Sequence, residues 1–147
     1  MALDNTDKKI VNVLLDNSKL SFRQIGKRVG ISVATVMNRV RKLESQGIIK
    51  KYTVALDYDK LGFDFPVLID IRVAKGKLFN VEKKIAVEPN VFAVYDKTGH
   101  FDATIIAKFQ NRKSMDSFLK KIQTYDFIER TETQLILNTI KEEGTKL

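Results

Sequence analysis

Asn38 and Arg41 stand three residues apart, with Ala34 and Thr35 one turn before Asn38. Asparagine pairs bidentately with adenine and arginine with guanine. Small or methyl-bearing groups pack on thymine methyls. These types have base-reading chemistry only if one helix face presents them together. Val36, Val40 and Leu43 recur at i, i+4 and i+7 and mark the buried side of such a helix. At roughly 100° per residue, Ala34, Asn38, Arg41 and Ser45 point the opposite way, flanked by Thr35, Met37 and Lys42. The first turns of a recognition helix carry most base contacts, which favours Ala34, Thr35 and Asn38 over Ser45. Arg41 reaches either a base or a phosphate. Lys42, Lys50 and Lys51 are phosphate candidates, which position a protein on DNA without reading sequence. The Ser32 hydroxyl and the amides at helix starts are further phosphate donors. Arg39 lies beside the buried stripe. It either binds phosphate or closes an internal ion pair, with Glu44 or Asp16 as partner.

The elements that must position this face are legible on either side of it. Asp4 and Asp7 have capping-box spacing ahead of Ile10, Val13 and Leu14, so a first helix runs from Asp4 to about Asp16. Asn17-Ser18-Lys19 reads as a turn. Ser21 and Gln24 form a second capping box, with Ile25 and Val29 on one apolar face and Gly30 at the stop. Ser32 caps the third helix and Gly47 ends it. Two helices joined by a tight glycine-containing turn, with a supporting helix before them, make a three-helix helix-turn-helix.

Ile48 to Asp57 has a β-like pattern and is expected to form a connecting strand. Residues 57–62 read as a hinge, which gives a DNA-binding domain over 1–60 and a second domain over 61–147. In that second domain Val67, Ile69, Ile71 and Val73 alternate as a strand. Leu78, Val81 and Ile85 have helical spacing, ended by Pro89-Asn90. Strands follow over Val91–Tyr95 and Phe101–Phe109, joined by a hairpin at Lys97–His100. Met115, Phe118, Leu119 and Ile122 mark another helix, and a last strand is expected from Ile128 to Ile140. The order β-α-β-β-α-β is the ferredoxin-like arrangement, so the fold class is α+β. Two helices cover one face of such a sheet. Leu68 and Ile106 carry apolar character to the other face, which is expected to pack on a second subunit.

Composition narrows the partners. The 147 residues carry a net charge of +8. Residues 1–60 hold 12 Lys and Arg against 6 Asp and Glu, net +6, while residues 61–147 hold 14 against 12, net +2. A basic field concentrated on the helical part attracts polyanions, nucleic acid first. No stretch approaches the roughly 18 apolar residues of a membrane span. Met1-Ala2-Leu3-Asp4 lacks the basic and apolar segments of a secretory signal. The absence of cysteine excludes disulfides and Cys-based zinc sites and fits a reducing cytoplasm. No cofactor or metal is expected. Catalysis finds little support. There is no cysteine nucleophile, no Gly-rich phosphate loop, and no serine elbow to pair with the single histidine, His100. Asp57 and Asp59 are explained by a solvated turn. RNA is a weaker candidate than duplex DNA, since no aromatic-rich strand motif is present. An architectural protein coating DNA without sequence choice is the alternative to a specific regulator.

Several motifs together resemble the Lrp/AsnC family of feast/famine transcription regulators, over roughly residues 3–142. They are Leu3-Asp4, Asp7 and Ile10; Gly30-Ile31-Ser32; Thr35-Val36 and Arg39-Val40-Arg41-Lys42-Leu43-Glu44; Gly47-Ile48-Ile49-Lys50-Lys51-Tyr52; Leu61-Gly62; and Tyr95-Asp96-Lys97-Thr98-Gly99-His100-Phe101-Asp102. The resemblance implies a winged-helix-like helix-turn-helix and a regulatory βαββαβ domain. It implies a homodimer formed through the sheets, with assembly to tetramers or octamers, and an effector that is commonly an amino acid. Carried over by motif, the effector residues are Thr98, Gly99, His100 and Asp102, with Tyr95 nearby. Many members have Asp where this chain has His100. That histidine either alters effector choice and makes the response pH-sensitive, or is an exposed turn residue. Asp102 suits an effector's ammonium group, or caps its own hairpin loop.

Overall fold

The computed structural model describes residues 3–147, so Met1 and Ala2, part of the reading of the chain start, lie outside it. Residues up to Ala55, together with Lys141–Leu147, form a helical unit, and Leu56–Ile140 form a sheet unit.

Three capped helices build the first unit: α1 (Asn5–Asp16), α2 (Phe22–Val29) and α3 (Val33–Ser45). Asp4 caps α1, its Oδ1 accepting from the Asp7 N–H at 2.8 Å. Around α2 the capping box is reciprocal. The Gln24 N–H donates to Ser21 Oγ at 3.3 Å and the Ser21 N–H to Gln24 Oε1 at 2.8 Å. Gly30 then leaves the helix at φ 80°, a conformation that costs glycine little. Gly26 is required for a different reason: a Cβ there would lie 2.7 Å from the Ile31 carbonyl oxygen. The turn between α2 and α3 closes against bare backbone. Ile10, Ile25, Val36 and Val40 are buried together, with Val13, Leu14, Leu20, Val29, Ile31 and Ile49 around them.

The tail returns to α1. The Asn12 side-chain amide donates from Nδ2 to the Leu147 carbonyl and accepts from the Leu147 N–H at Oδ1, both at 2.9 Å. Lys146 Nζ lies 2.6 Å from Asp16. Gly144 lies so close to Leu15 that a Cβ would come within 2.9 Å of its Cδ2.

The expected connecting strand over Ile48–Asp57 does not form. Tyr52, Val54 and Leu56 are exposed, and among the described residues no strand runs beside them to take up the backbone groups. Alternation supplies a face for a strand but not its hydrogen-bonding partner.

In the sheet unit the order is β1 (Phe65–Val73), α4 (Leu78–Lys84), β2 (Val91–Asp96), β3 (Ala103–Phe109), α5 (Arg112–Gln123) and β4 (Ile128–Leu135). The strands lie in the order β2-β3-β1-β4, all neighbours antiparallel, with Ile69 facing Ile105 on one side and Thr133 on the other. This is the expected ferredoxin-like topology. Val67, Ile69, Ile71, Ala103, Ile105, Ala107 and Phe109 are buried with Val81, Ile85, Phe118, Ile122 and Phe127. Each large aliphatic or aromatic side chain so enclosed contributes roughly 1.5–3 kcal/mol. The intervening residues Leu68, Asp70, Thr104 and Ile106 are only half-buried. β4 is shorter than expected. It ends at Leu135, opposite Val67, and a last link joins the Ile136 N–H to the Pro66 carbonyl at 2.9 Å. β1 starts at Phe65, so in this register residues 138–140 lie beyond its length.

Candidate nucleic-acid interface

The recognition face rests on how α3 begins and what lies under it. Ser32 Oγ accepts from the Thr35 N–H at 3.1 Å, satisfying one of the open amides of the first turn. It also shares a hydrogen bond of 2.8 Å with Thr35 Oγ1. Val36, Val40 and Leu43 are buried. Ala34, Asn38, Arg41, Lys42 and Ser45 are exposed, and Thr35 is half-buried. Thr35 therefore has its hydroxyl tied to the cap and its methyl left for apolar contact. The Ser45 hydroxyl donates to the Lys42 carbonyl at 2.9 Å, one turn back along the same helix. Gly47, at φ 68°, ends the helix, and Lys50 and Lys51 follow it exposed.

A test of the cap follows from this geometry. Ser32→Ala is expected to destabilise the helical unit by about 1 kcal/mol in urea melts, and Ser32→Asp to restore most of it, because aspartate caps as well as serine. If the aspartate variant melts like the alanine one, the hydroxyl is not holding the helix start.

Arg39 has different partners from those expected. Its Nη1 donates to Asp4 Oδ2 at 2.5 Å and to Asp7 Oδ1 at 2.8 Å. Glu44 instead accepts from the Tyr52 hydroxyl at 2.7 Å, and Asp16 holds Lys146. Burial, and then the Glu44 carboxylate, push the Tyr52 hydroxyl up to about 12. The Arg39 guanidinium, with help from the Asp7 amide, holds the Asp4 carboxyl below its ordinary value.

Two groups escaped the sequence reading. Val33 is 45% exposed in the first turn of α3, beside Ala34. Arg23, Lys27 and Arg28 are exposed on α2. Their signal was the contrast between a basic face and the buried Ile25.

In the sheet unit, the five residues that the Lrp/AsnC resemblance suggests for an effector cluster around one hairpin. Tyr95, Thr98, Gly99 and His100 are exposed and Asp102 is half-buried. Gly99 turns at φ 118°. Asp102 does not cap its own loop. Its Oδ2 accepts from the Val73 N–H at 2.7 Å, where the register of β1 against β4 shifts. Its N–H donates to the Ile71 carbonyl at 2.9 Å. The side chain therefore satisfies an amide that the irregular ladder leaves open. Next to this hairpin Asp70 accepts hydrogen bonds from Lys97 Nζ and Thr104 Oγ1. Burial pushes the Asp70 carboxyl up, but these two donors more than offset it and hold it below its ordinary value. Lys97 and Arg130 lie 5.6 and 5.7 Å from the Phe101 ring centroid. Asp70 and Thr104 carry no sequence signal linking them to Lys97, since these side chains meet only across strands.

Among the described residues, no group of three His, Asp or Glu could hold a metal ion, and no helix is long and apolar enough to cross a membrane.

Comparisons with known proteins match two regions of the chain. Residues 3–50 match the model of the winged helix-turn-helix DNA-binding family, and residues 66–145 match that of the Lrp/AsnC ligand binding domain. The chain is 39% identical over 143 residues, 97% of either sequence, to an HTH-type transcriptional regulator of Pyrococcus furiosus. The structure of Escherichia coli AsnC superposes with a TM-score of 0.90 at 26% identity, covering 100% of both chains. A Neisseria meningitidis transcriptional regulator, solved as an L-Met complex, shares the fold at a TM-score of 0.91 and 24% identity, covering 99% of this chain and 96% of that one.

Proposed function

Since the chain belongs to the Lrp/AsnC family of DNA-binding transcription regulators, we propose that it reads a specific duplex sequence as a homodimer and adjusts that binding to an amino acid or a related small molecule. The observation that carries the first half is the bare face of α3. Ala34, Asn38 and Arg41 are exposed directly opposite the buried Val36, Val40 and Leu43. Asn38 reads adenine. Arg41 takes a guanine or a phosphate, and Ala34 with the Thr35 methyl packs on thymine. Ser32, Lys42, Lys50 and Lys51 hold phosphates.

The second half is supported by the match of residues 66–145 to a ligand-binding domain and by the hairpin cluster. Tyr95, Thr98, Gly99 and His100 offer exposed side-chain and backbone groups, and Asp102 offers a carboxylate for an ammonium group. The half-buried sheet residues Leu68 and Ile106 support a subunit contact on that face, from which tetramers or octamers grow. The regulator works in the cytoplasm.

Selection of bound duplexes from a random pool tests both halves, repeated with a panel of amino acids headed by L-methionine. The expected product is a palindrome with half-sites about 34–36 Å apart. One amino acid is expected to shift affinity or assembly. In the same assay Asn38→Ala is expected to relax choice at one or two base positions and to weaken binding by about 1–3 kcal/mol. Retention by many unrelated fragments alike would instead identify a DNA-coating protein, and an unchanged base preference would remove Asn38 from the reading face.

A further inference from the structure

Arg39 sits on the recognition helix between Asn38 and Val40, yet its guanidinium is bonded to the carboxylates at the start of α1. We infer that Arg39 is a positioning residue that fixes the roll of the recognition helix, and that it does not contact DNA. The inference rests on the DNA-reading function proposed above.

Three observations carry it. First, α3 packs through the aliphatic stripe of Val36, Val40 and Leu43, and such a ridge resists separation better than rotation. A roll of about 20° sweeps a side-chain tip, about 5–6 Å from the axis, through about 2 Å, enough to break a hydrogen bond to a base. The two bonds from Arg39 Nη1 to carboxylates at the start of α1 select one rotational setting, because charge-assisted, directional bonds tolerate little displacement.

Second, those carboxylates are themselves fixed. Asp4 Oδ1 is held by the Asp7 amide as the cap of α1, and the Asp7 side chain is 10% exposed. A charge enclosed to that degree needs its partner, so Arg39 is not free to swing out.

Third, the cluster of one guanidinium and two carboxylates carries a net charge of −1 in a unit that is otherwise strongly basic. A phosphate approaching Arg39 meets two carboxylates already in place. The same polyanion is attracted wherever the lysines and arginines lack such neighbours.

The test compares two duplexes of equal length by fluorescence anisotropy over a range of salt. One is the duplex selected by the wild-type protein and the other is unrelated in sequence. The variants are Arg39→Met, Arg39→Lys, Asp7→Asn and Asp4→Asn; the last keeps an equally good cap for α1 while removing the charge. The ratio of selected to unrelated affinity is expected to fall about tenfold in Arg39→Met and in Asp7→Asn, the size of one lost base contact. The salt slope is expected to stay at the wild-type value. Arg39→Lys, which can reach one carboxylate, recovers part of the ratio. If Arg39→Met does not fold by circular dichroism, Asp4→Asn carries the test on an exposed carboxylate, with a smaller fall expected.

An unchanged ratio overturns the inference. So does an equal loss on both duplexes with a slope flatter by about 1.8 per dimer, the signature of one lost phosphate contact in each subunit. A wild-type protein that binds neither duplex overturns instead the DNA-reading function on which the inference rests.

Discussion

Raising salt from about 50 to about 200 mM is expected to weaken binding of the selected duplex by about a thousandfold, with a log–log slope of about −5. The argument counts cations. Arg41, Lys42, Lys50 and Lys51 are all exposed on or just after α3, and a dimer presents them twice. If about six of these eight meet phosphates, each releases close to 0.9 counterion, which gives that slope. Arg39 is left out of the count because two carboxylates hold it. Lys50→Gln with Lys51→Gln is expected to flatten the slope by up to about 3.6 per dimer while leaving base preference alone. Equilibrium titrations at four or five salt concentrations measure this. A flat line in the wild-type protein would mean that the basic face of the helical unit is not what meets the DNA.

The second large effect concerns assembly. Ile106→Glu is expected to weaken the proposed homodimer by at least about a hundredfold in sedimentation equilibrium, because an uncompensated charge in a closed contact costs about 3–5 kcal/mol and a two-fold interface repeats the lesion. Ile106 pairs with Leu68 across the centre of the sheet and is half-buried in the single chain. The monomer should therefore tolerate the change, with its sheet-unit melt close to wild type. Its sequence neighbour gives the opposite result. Ile105 is fully buried, and Ile105→Ala is expected to lower the stability of the sheet unit by about 2–5 kcal/mol. An Ile106→Glu protein that stays dimeric at wild-type concentrations would move the subunit contact to another surface.

What the sequence disclosed and what it withheld separate along a physical line. Ser21 with Gln24, Ser32, Gly30 and Gly47 announced helix ends correctly because capping is decided within four residues. The alternation of Ile69 and Ile71 with Asp70, and of Ile105 and Ala107 with Ile106, marked the buried side of each strand, since side chains repeat every second residue. Arg39 was different. Its carboxylate partners lie 35 and 32 residues away, and only the packing of α1 against α3 brings them together, so nearer acids looked equally eligible. The segment after Gly47 reads as a strand because Tyr52, Val54 and Leu56 alternate, but pairing is a property of two segments. The same limit applies to Asp102, whose acceptor role depends on the Val73 amide on another strand. Lys141–Leu147 carries no periodicity, and its place beside α1 left no trace in its composition.

That last placement bears on how the protein is made. The ribosome delivers α1, α2 and α3 first, yet the residues that occupy Asn12 and Asp16 emerge only after the whole sheet unit has been synthesised. At about 5–20 residues per second that interval lasts roughly 4–17 s. During that time the nascent helical unit carries an α1 whose polar partners at Asn12 and Asp16 are still untranslated.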